Sequence, residues 1–190
     1  MKELKSIITC DLYRYYGKTG RRELIKNILK TPGFKYTYIF RHCHYHYKNN
    51  NKIRYFLYKF LLIKYRHKYG YEIPVDTNIG KGFCITHFGS IAINPDAQIG
   101  ENVNISKGIT IGTTYRGGKK GSPIIGDKVW IGPSAIIVGK IKVGSNVLIA
   151  PGAYVNFDVP NNSIVVGNPG KIIYSENATD EYIQNTFEEK

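Results

Sequence analysis

Residues 91–112 read I-A-I-N-P-D-A-Q-I-G-E-N-V-N-I-S-K-G-I-T-I-G, with an isoleucine at every sixth position from residue 93 onward. The same spacing continues on both sides of this stretch. We call the series the aliphatic ladder; its thirteen members are Ile73, Ile79, Ile85, Ile93, Ile99, Ile105, Ile111, Ile125, Ile131, Ile137, Val143, Ile149 and Val155. Its phase changes only within 86–92 and within 112–124. The repeat therefore covers most of the second half of the chain, with two interruptions.

A period of six is produced neither by an amphipathic helix nor by a simple alternating strand. It is typical of a triangular coil in which each hexad forms one short strand and one corner, and three hexads close a turn. Glycine directly follows six ladder members, which permits tight corners. A single coil cannot bury its apolar face, so coils must stack. The ladder predicts a mainly β protein, a parallel β-helix of hexapeptide repeats.

The region before the ladder has a different composition. Residues 1–72 hold 17 Lys and Arg against four acidic residues, whereas residues 73–190 hold ten of each. Segments 2–16, 21–30 and 36–68 have helix-compatible apolar spacing, and T-P-G at 31–33 is a break. We predict a basic, Tyr-rich α-helical domain (1–70) of two to four helices that caps the coil stack, a β-helix domain (71–173) and a tail (174–190). The tail from residue 179 is predicted to be a short helix or loose.

Composition excludes several classes of protein. A chain of 190 residues with 42% hydrophobic residues can bury a core, which argues against a disordered polyelectrolyte. Three cysteines are too few for a disulfide scaffold and fit a reducing compartment. No apolar stretch is long enough for a signal peptide or a membrane span, since Lys59 and Lys64 interrupt the longest one. We expect a soluble, cytoplasmic protein.

Four stretches of the β part resemble a known family. They are Y-E-I-P-V-D-T-N-I-G-K-G-F-C-I-T-H-F-G at 71–89, N-P-D-A-Q-I-G-E-N-V-N-I-S-K-G-I-T-I-G at 94–112, G-D-K-V-W-I-G at 126–132 and V-V-G-N-P-G-K-I-I at 165–173. Together they resemble the hexapeptide-repeat acyltransferases, in the serine acetyltransferase-like branch, with a weaker echo at 11–17. The resemblance implies a left-handed β-helix, a homotrimer, acetyl-CoA as co-substrate without a metal, and transfer of the acetyl group to a hydroxyl.

Such a transfer needs a base that removes the hydroxyl proton, and histidine suits this role because its ordinary pKa lies near neutral pH. His87 is the one histidine after residue 72, and it lies in the first interruption of the ladder. The alternative is an ordinary surface histidine. The resemblance makes His87 the general base and Glu72 the carboxylate that orients it, although Glu72 also suits a solvated position at the domain junction. With eighteen residues per coil, a gap of fifteen can bring the two close.

The resemblance also assigns the remaining site residues. It places the acetyl-CoA along the edge of the coils; the cofactor-binding positions are Gly112, Thr113, Thr114, Arg116, Ser134, Ala150, Pro151 and Lys171. It makes 113–123 an extruded loop that lines a cleft between neighbouring subunits, where Arg116, Lys119 and Lys120 can meet phosphates. A flexible insertion is the alternative for this loop, and ordinary corner packing is the alternative for Ala150 and Pro151.

The acceptor positions implied by the resemblance are Asp11, Thr86, Phe88, Asn94 and Ser122. In serine acetyltransferases an aspartate precedes the base and an Arg-His pair ends the loop. Thr86 and Gly121-Ser122 stand at these positions here. Losing a charge-assisted contact costs about 1.5–3 kcal/mol, so free serine fits poorly. We therefore predict a neutral acceptor, a sugar hydroxyl of a polysaccharide or its precursor, with serine as the alternative.

Three other classes of function are alternatives to this interpretation. A carbonic-anhydrase-like β-helix needs three histidine ligands, and the β part has one. A zinc site at His42, Cys43, His44 and His46 lacks a fourth well-spaced ligand, and packing in an aromatic-rich helix is the alternative. A basic module for nucleic acid or a membrane surface is the third class. We expect no nucleic-acid partner, and the run 53–65 leaves peripheral membrane association open.

Overall fold

The computed structural model describes residues 1–186, and these form four α-helices followed by fifteen short β-strands. The helices are α1 (Lys2–Tyr16), α2 (Arg21–Lys30), α3 (Pro32–Lys48) and α4 (Lys52–Tyr69). The strands are β1 (Tyr71–Glu72), β2 (Asn78–Ile79), β3 (Cys84–Ile85), β4 (Ile91–Ile93), β5 (Gln98–Ile99), β6 (Asn104–Ile105), β7 (Thr110–Gly112), β8 (Ile124–Ile125), β9 (Val129–Ile131), β10 (Ile136–Val138), β11 (Lys142–Val143), β12 (Val147–Ile149), β13 (Tyr154–Val155), β14 (Ser163–Val166) and β15 (Lys171–Tyr174).

The strands form the three faces of a triangular prism. Face A has the order β1-β4-β7-β10-β13, face B the order β11-β8-β5-β2, and face C the order β15-β14-β12-β9-β6-β3. Every pairing is parallel except that of β14 with β15, which is antiparallel. From β1 to β13 consecutive strands therefore lie on successive faces and pair with strands one coil away, whereas β14 and β15 lie side by side on face C. The predicted parallel β-helix with a helical N-terminal region is confirmed.

The aliphatic ladder lines the interior of the prism, and each of its thirteen members is at most 7% exposed. A second buried series precedes it by two residues in each hexad, and sequence analysis missed it. Its members among the described residues include Thr77, Phe83, Ile91, Ala97, Val103, Ile109, Val129, Ala135, Ile141, Val147 and Ala153, and the series continues past the end of the ladder with Val159 and Val165. Because these side chains vary in size and polarity, their six-residue spacing is hard to recognise in the sequence.

The two interruptions of the ladder change the length of a coil. Regular coils repeat every eighteen residues, as when Thr110 pairs with Ala92. The first coil is two residues longer, since Asn78 pairs with Gln98. The third is eight residues longer, since Gln98 pairs with Ile124. The additional residues lie at 86–90 and at 113–123, so both leave the prism at corners and the faces stay in register.

The helices cap the first coil, as predicted. Tyr36, Phe40 and Leu62 belong to the same hydrophobic cluster as the prism interior, so α3 and α4 close its open end. The predicted segment 36–68 is two helices because the chain turns at 49–51, where Asn50 has a φ of 52°. The side chain of Asn51 then caps α4 by accepting from the Arg54 N–H at 3.2 Å.

The C-terminal segment packs against face C and forms turns rather than the helix that was one prediction. The Tyr182 ring lies 4.8 Å from that of Trp130, and the Tyr182 carbonyl accepts from the Asn104 amide at 3.2 Å. The tail thereby reaches α1, where Arg14 donates to the Gln184 carbonyl. Residues 187–190 of the predicted tail lie outside the described residues. Among the described helices, none has both the length and the hydrophobicity of a membrane-spanning segment.

Candidate active site

Two corners of the prism hold most of the predicted site residues, and Asp11 and Glu72 lie outside them. The corner between faces C and A, here called the His87 corner, is built from segments 86–90, 106–108, 132–134, 150–152 and 167–170. These segments stack through backbone hydrogen bonds; for example, Gly108 donates to Ser90, Ser134 to Lys107 and Gly152 to Pro133. The stack brings His87, Ser134, Ala150 and Pro151 to one edge. Lys171 begins β15 at the far end of the same edge, opposite Val166.

The segment 86–90 leaves the coil because it is longer than the other segments of the His87 corner. The main chain stays anchored, since Gly89 donates to the Tyr69 carbonyl at 3.2 Å and the Tyr71 hydroxyl donates to the His87 carbonyl at 3.3 Å. Gly89 has a φ of 139°, which favours glycine. Thr86, His87 and Phe88 are all exposed. The structure thus presents the His87 imidazole to solvent on a fixed backbone.

Glu72 has a different partner from the one predicted. Its carboxylate accepts from the Arg66 guanidinium of α4, and both side chains are exposed. Among the described residues, no hydrogen bond joins Glu72 to His87. The longer first coil explains the missing contact. Glu72 lies beside Ala92 on face A, whereas His87 protrudes from the His87 corner, in the segment that precedes β4. The Glu72–His87 dyad therefore stays a prediction.

The corner between faces A and B, here called the loop corner, holds the other predicted residues. The segment 113–123 projects from it and is closed by a pair of hydrogen bonds between Thr114 and Gly121, of 3.0 and 2.9 Å. Ser122 donates to the Asn94 side-chain oxygen at 2.9 Å, which brings together two predicted acceptor residues. Gly112, Thr113 and Arg116 lie on the same projection or at its base. The loop is extruded as predicted.

Face A separates the two corners. A strand and its flanking residues span about 15 Å at roughly 3.3 Å per residue, so one chain does not bring His87 together with Asn94 and Ser122. Two copies of the prism placed side by side can do so, if the His87 corner of one copy faces the loop corner of the next. The cleft between subunits stays a prediction.

Asp11 corrects one prediction. It is 1% exposed and accepts from Arg41 at 2.8 and 3.2 Å and from the Phe83 N–H at 2.9 Å. Arg41 also donates to the carbonyls of Ile79 and Gly80. Burial raises the pKa of Asp11, and the Arg41 charge opposes this. With both oxygens occupied inside the protein, Asp11 joins α1 and α3 to the first coil and does not contact an acceptor.

The histidines of α3 also have structural partners. The His42 ring stacks on Tyr58 with centroids 4.5 Å apart, and His44 Nδ1 lies 2.7 Å from the Val75 carbonyl. Burial, with the positive charges of neighbouring groups, lowers the pKa of His42 to about 4. Cys43 is buried. Within residues 1–186 no group of three or more His, Cys, Asp or Glu side chains is placed to hold a metal ion. The cluster packs the helical cap.

Known proteins match this chain at the level of family, sequence and structure. The family described as bacterial transferase hexapeptide (six repeats) matches residues 122–156. Serine acetyltransferase of Staphylococcus aureus (strain Mu50) is 41% identical over 104 residues, covering 55% of this chain and 49% of that protein. The structure of Neisseria gonorrhoeae serine acetyltransferase in complex with serine is 31% identical with a TM-score of 0.72, covering 90% of this chain and 69% of that one.

The length of the relatives differs from that of this chain. Serine acetyltransferase 4 of Arabidopsis thaliana is 35% identical over 128 residues, which are 62% of this chain and 36% of that protein. The chain thus spans between about a third and a half of the curated relatives it matches. The solved structure is covered more fully, and it matches the helical cap as well as the coils.

Proposed function

Since the chain belongs to the hexapeptide-repeat transferases, in the serine acetyltransferase-like branch, we propose that it is an acetyl-CoA-dependent O-acetyltransferase. One observation of the structure carries this proposal. An exposed histidine with a fixed backbone stands at one end of a straight, solvent-accessible corner, and an exposed lysine stands at the other end. Three small residues, Ser134, Ala150 and Pro151, lie between them.

The dimensions of the His87 corner suit an extended thioester co-substrate. His87 follows β3 and Lys171 begins β15, so the two are five strand spacings apart on face C, which is about 24 Å at roughly 4.8 Å per strand. The pantetheine arm can lie along the edge, with its thioester beside His87 and its nucleotide phosphates near Lys171. The small side chains of Ala150 and Pro151 leave backbone N–H and C=O groups accessible to this arm.

His87 acts as the general base in this mechanism. It removes the proton of the acceptor hydroxyl while the oxygen attacks the thioester carbonyl. The C–S bond then breaks, the acetyl group stays on the acceptor oxygen, and the sulfur leaves as a thiolate that recovers the proton from the imidazolium. Glu72 is proposed to orient His87 and support its positive charge once the cleft is assembled.

A homotrimer completes the site. In this arrangement the His87 corner of one subunit faces Thr113, Thr114, Arg116 and the Asn94–Ser122 pair of its neighbour, so the thioester and the acceptor meet in a shared cleft. Light scattering is expected to give three times the chain mass at micromolar concentration. A monomer with full activity would contradict the shared site.

The acceptor is the finer part of the proposal. The relatives named above make serine the first candidate, ahead of the predicted sugar. Specific residues favour a neutral hydroxyl as the second candidate. Thr86 and the Asn94–Ser122 pair are uncharged, and the buried Asp11 cannot hold an ammonium group.

An acceptor screen tests the proposal directly. The full chain and acetyl-CoA are incubated with serine, nucleotide sugars or oligosaccharides, and the free thiol of CoA is measured. Acceptor-dependent thiol release supports acetyl transfer, and the ratio of kcat/KM between serine and the best sugar decides the acceptor class. If no hydroxyl acceptor raises thiol release above the rate with water, and acetyl-CoA does not raise Tm, the proposed function is wrong.

A further inference from the structure

The outer face of α4 carries an exposed apolar surface. Its members, here called the α4 stripe, are Ile53, Phe56, Leu57, Phe60 and Ile63, with exposed fractions of 86%, 66%, 59%, 69% and 43%. Their spacing of three and four residues places them on one side of the helix. Contiguous exposed apolar surfaces of this kind mark interaction sites in soluble domains.

The α4 stripe is not needed to fold the cap. The opposite side of α4 supplies Leu62 to the core, and Tyr55, Tyr58 and Tyr65 pack against the same cluster. Each large aliphatic or aromatic side chain in the stripe therefore remains hydrated, whereas its burial against a partner would be favourable. The inner side of α4 is thus already packed against the core, and five large apolar residues still lie on its outer side. This arrangement favours a partner for the outer side.

The charges around the stripe define the chemistry of that partner. From residue 24 to residue 71 the sequence has no Asp or Glu, and α4 alone contributes six Lys and Arg. The helical period places Lys52, Lys59 and Arg66 along one border of the stripe and Arg54 and Lys68 along the other. Of these five, Arg66 is the one with an ion pair within residues 1–186, to Glu72. The surface thus combines an apolar centre with positive borders, and the exposed Lys64 follows Ile63 on the same side of the helix.

We propose that the α4 stripe binds an anionic lipid surface. The helix lies in the plane of the interface, with Phe56 and Phe60 inserted at the level of the acyl chains. Lys52, Lys59 and Lys68 contact the headgroup phosphates. Each basic residue near an anionic bilayer contributes favourably, and the Glu72 carboxylate at the end of α4 is neutralised by its ion pair with Arg66.

The same observations argue against two other partners. A two-fold contact with a second copy of the chain would bring together two stripes with like-charged borders, and such juxtaposition opposes association. Nucleic acid would match the charge, but its phosphate backbone gives no partner for a central row of aliphatic and phenyl groups. An anionic lipid surface satisfies the apolar centre and the basic borders at once.

The position of the stripe relates lipid binding to the proposed function, on which this step rests. α4 ends beside the His87 segment, where Glu72 accepts from Arg66 and Gly89 donates to the Tyr69 carbonyl. Lys171 lies at the opposite end of the coil stack. A lipid-bound protein would therefore hold the acceptor end of the cleft near the bilayer and leave the nucleotide end in water.

Co-sedimentation of the full chain with vesicles tests the proposal. The vesicles contain either equal parts of phosphatidylglycerol and phosphatidylcholine or phosphatidylcholine alone. The wild type should bind the mixed vesicles, with binding reduced by salt. The double variant F56S/F60S should weaken that binding by about tenfold or more, because two inserted rings are removed. The matched control I172S/I173S removes two exposed apolar side chains of β15 at the other end of the stack and should bind as the wild type does.

Three results would overturn the proposal. The first is binding that is absent, or that is equal for both vesicle types. The second is binding that F56S/F60S leaves unchanged. The third is a drop in assembly mass of F56S/F60S in light scattering without vesicle binding by the wild type, which would identify an interface between protein chains. Duplex DNA that competes equally against the wild type and F56S/F60S would show that charge alone governs the surface. Thiol release by F56S/F60S with a soluble acceptor separates failure of lipid binding from failure of the proposed function, since acetyl transfer should persist whether or not lipid binds.

Discussion

The coil stack and the helical cap reach stability by different means. In the coil stack each coil repeats the one before it, so two series of mostly aliphatic side chains fill the interior. Residues 73–190 also have equal numbers of acidic and basic residues. The cap does not repeat, and it depends on buried polar contacts such as the Asp11–Arg41 pair. Polar groups available for chemistry lie where the repeat is interrupted, whereas those of the cap are occupied in holding the structure. This difference separates residues that affect activity from residues that affect stability.

The largest effect is expected from His87→Ala. This substitution removes the proposed base from an exposed segment, while Ile85 and Ile91 on either side stay buried. We expect kcat to fall by about 10²–10⁴ and the free energy of unfolding to change by about 0.5 kcal/mol or less. Measurement of thiol release with the best acceptor, together with thermal unfolding, checks both expectations.

A matched control is available in the cap. His67 is also exposed, on α4, and His67→Ala should leave kcat unchanged. Near-wild-type turnover by His87→Ala in an intact trimer would show that proton removal occurs elsewhere. The claim that the segments interrupting the aliphatic ladder carry the residues needed for activity would then be wrong.

Asp11→Asn should show the opposite pattern. It leaves the Arg41 guanidinium buried without a carboxylate, which typically costs about 3–5 kcal/mol of stability. Urea unfolding measures this cost, and Asp96→Asn, at an exposed corner, is the control with little expected change. If Asp11 instead bound the acceptor, Asp11→Asn would raise KM for the acceptor without altering the unfolding midpoint.

Asp11 also shows where sequence analysis reached its limit. The aliphatic ladder predicted the architecture and both extruded segments, because a strict period constrains every coil at once. An aspartate on a helix does not constrain its own environment in this way. The same residue type suits a buried ion pair with Arg41 and a contact with an acceptor, so the sequence does not distinguish the two. The partner of Glu72 was equally hidden, because the two additional residues of the first coil alter which side chains meet. The corner positions from Ser134 to Lys171 could be aligned along one edge from the repeat alone.

Acid should weaken the cap before the coil stack. In the folded protein the pKa of His42 lies near 4, whereas in the unfolded chain it returns to about 6.5. The unfolded state therefore binds more protons, and stability falls as pH decreases from about 6.5 toward 4. His42→Phe keeps the stacking on Tyr58 and removes a buried Nδ1 that has no hydrogen-bond partner. We expect this variant to exceed the wild type by about 1 kcal/mol at pH 5, after allowing for solvent screening, and by less at pH 7.5. Urea unfolding at the two pH values would refute this if the difference did not grow on acidification.

Glu72→Gln is expected to have the smallest effect, and it probes the junction between the two regions. Its ion pair with Arg66 is exposed, so the free energy of unfolding should fall by less than about 1 kcal/mol. If the carboxylate turns toward His87 when the trimer assembles, the amide keeps a hydrogen-bond acceptor but loses the charge that supports the imidazolium. We therefore expect kcat to fall by less than in His87→Ala, with KM for the acceptor unchanged. Arg66→Gln breaks the same ion pair and leaves the carboxylate in place, so it should retain the wild-type kcat. Equal kcat values for Glu72→Gln, Arg66→Gln and the wild type would give Glu72 only a structural role beside the cap, because the loss of a carboxylate that supported the base would lower kcat.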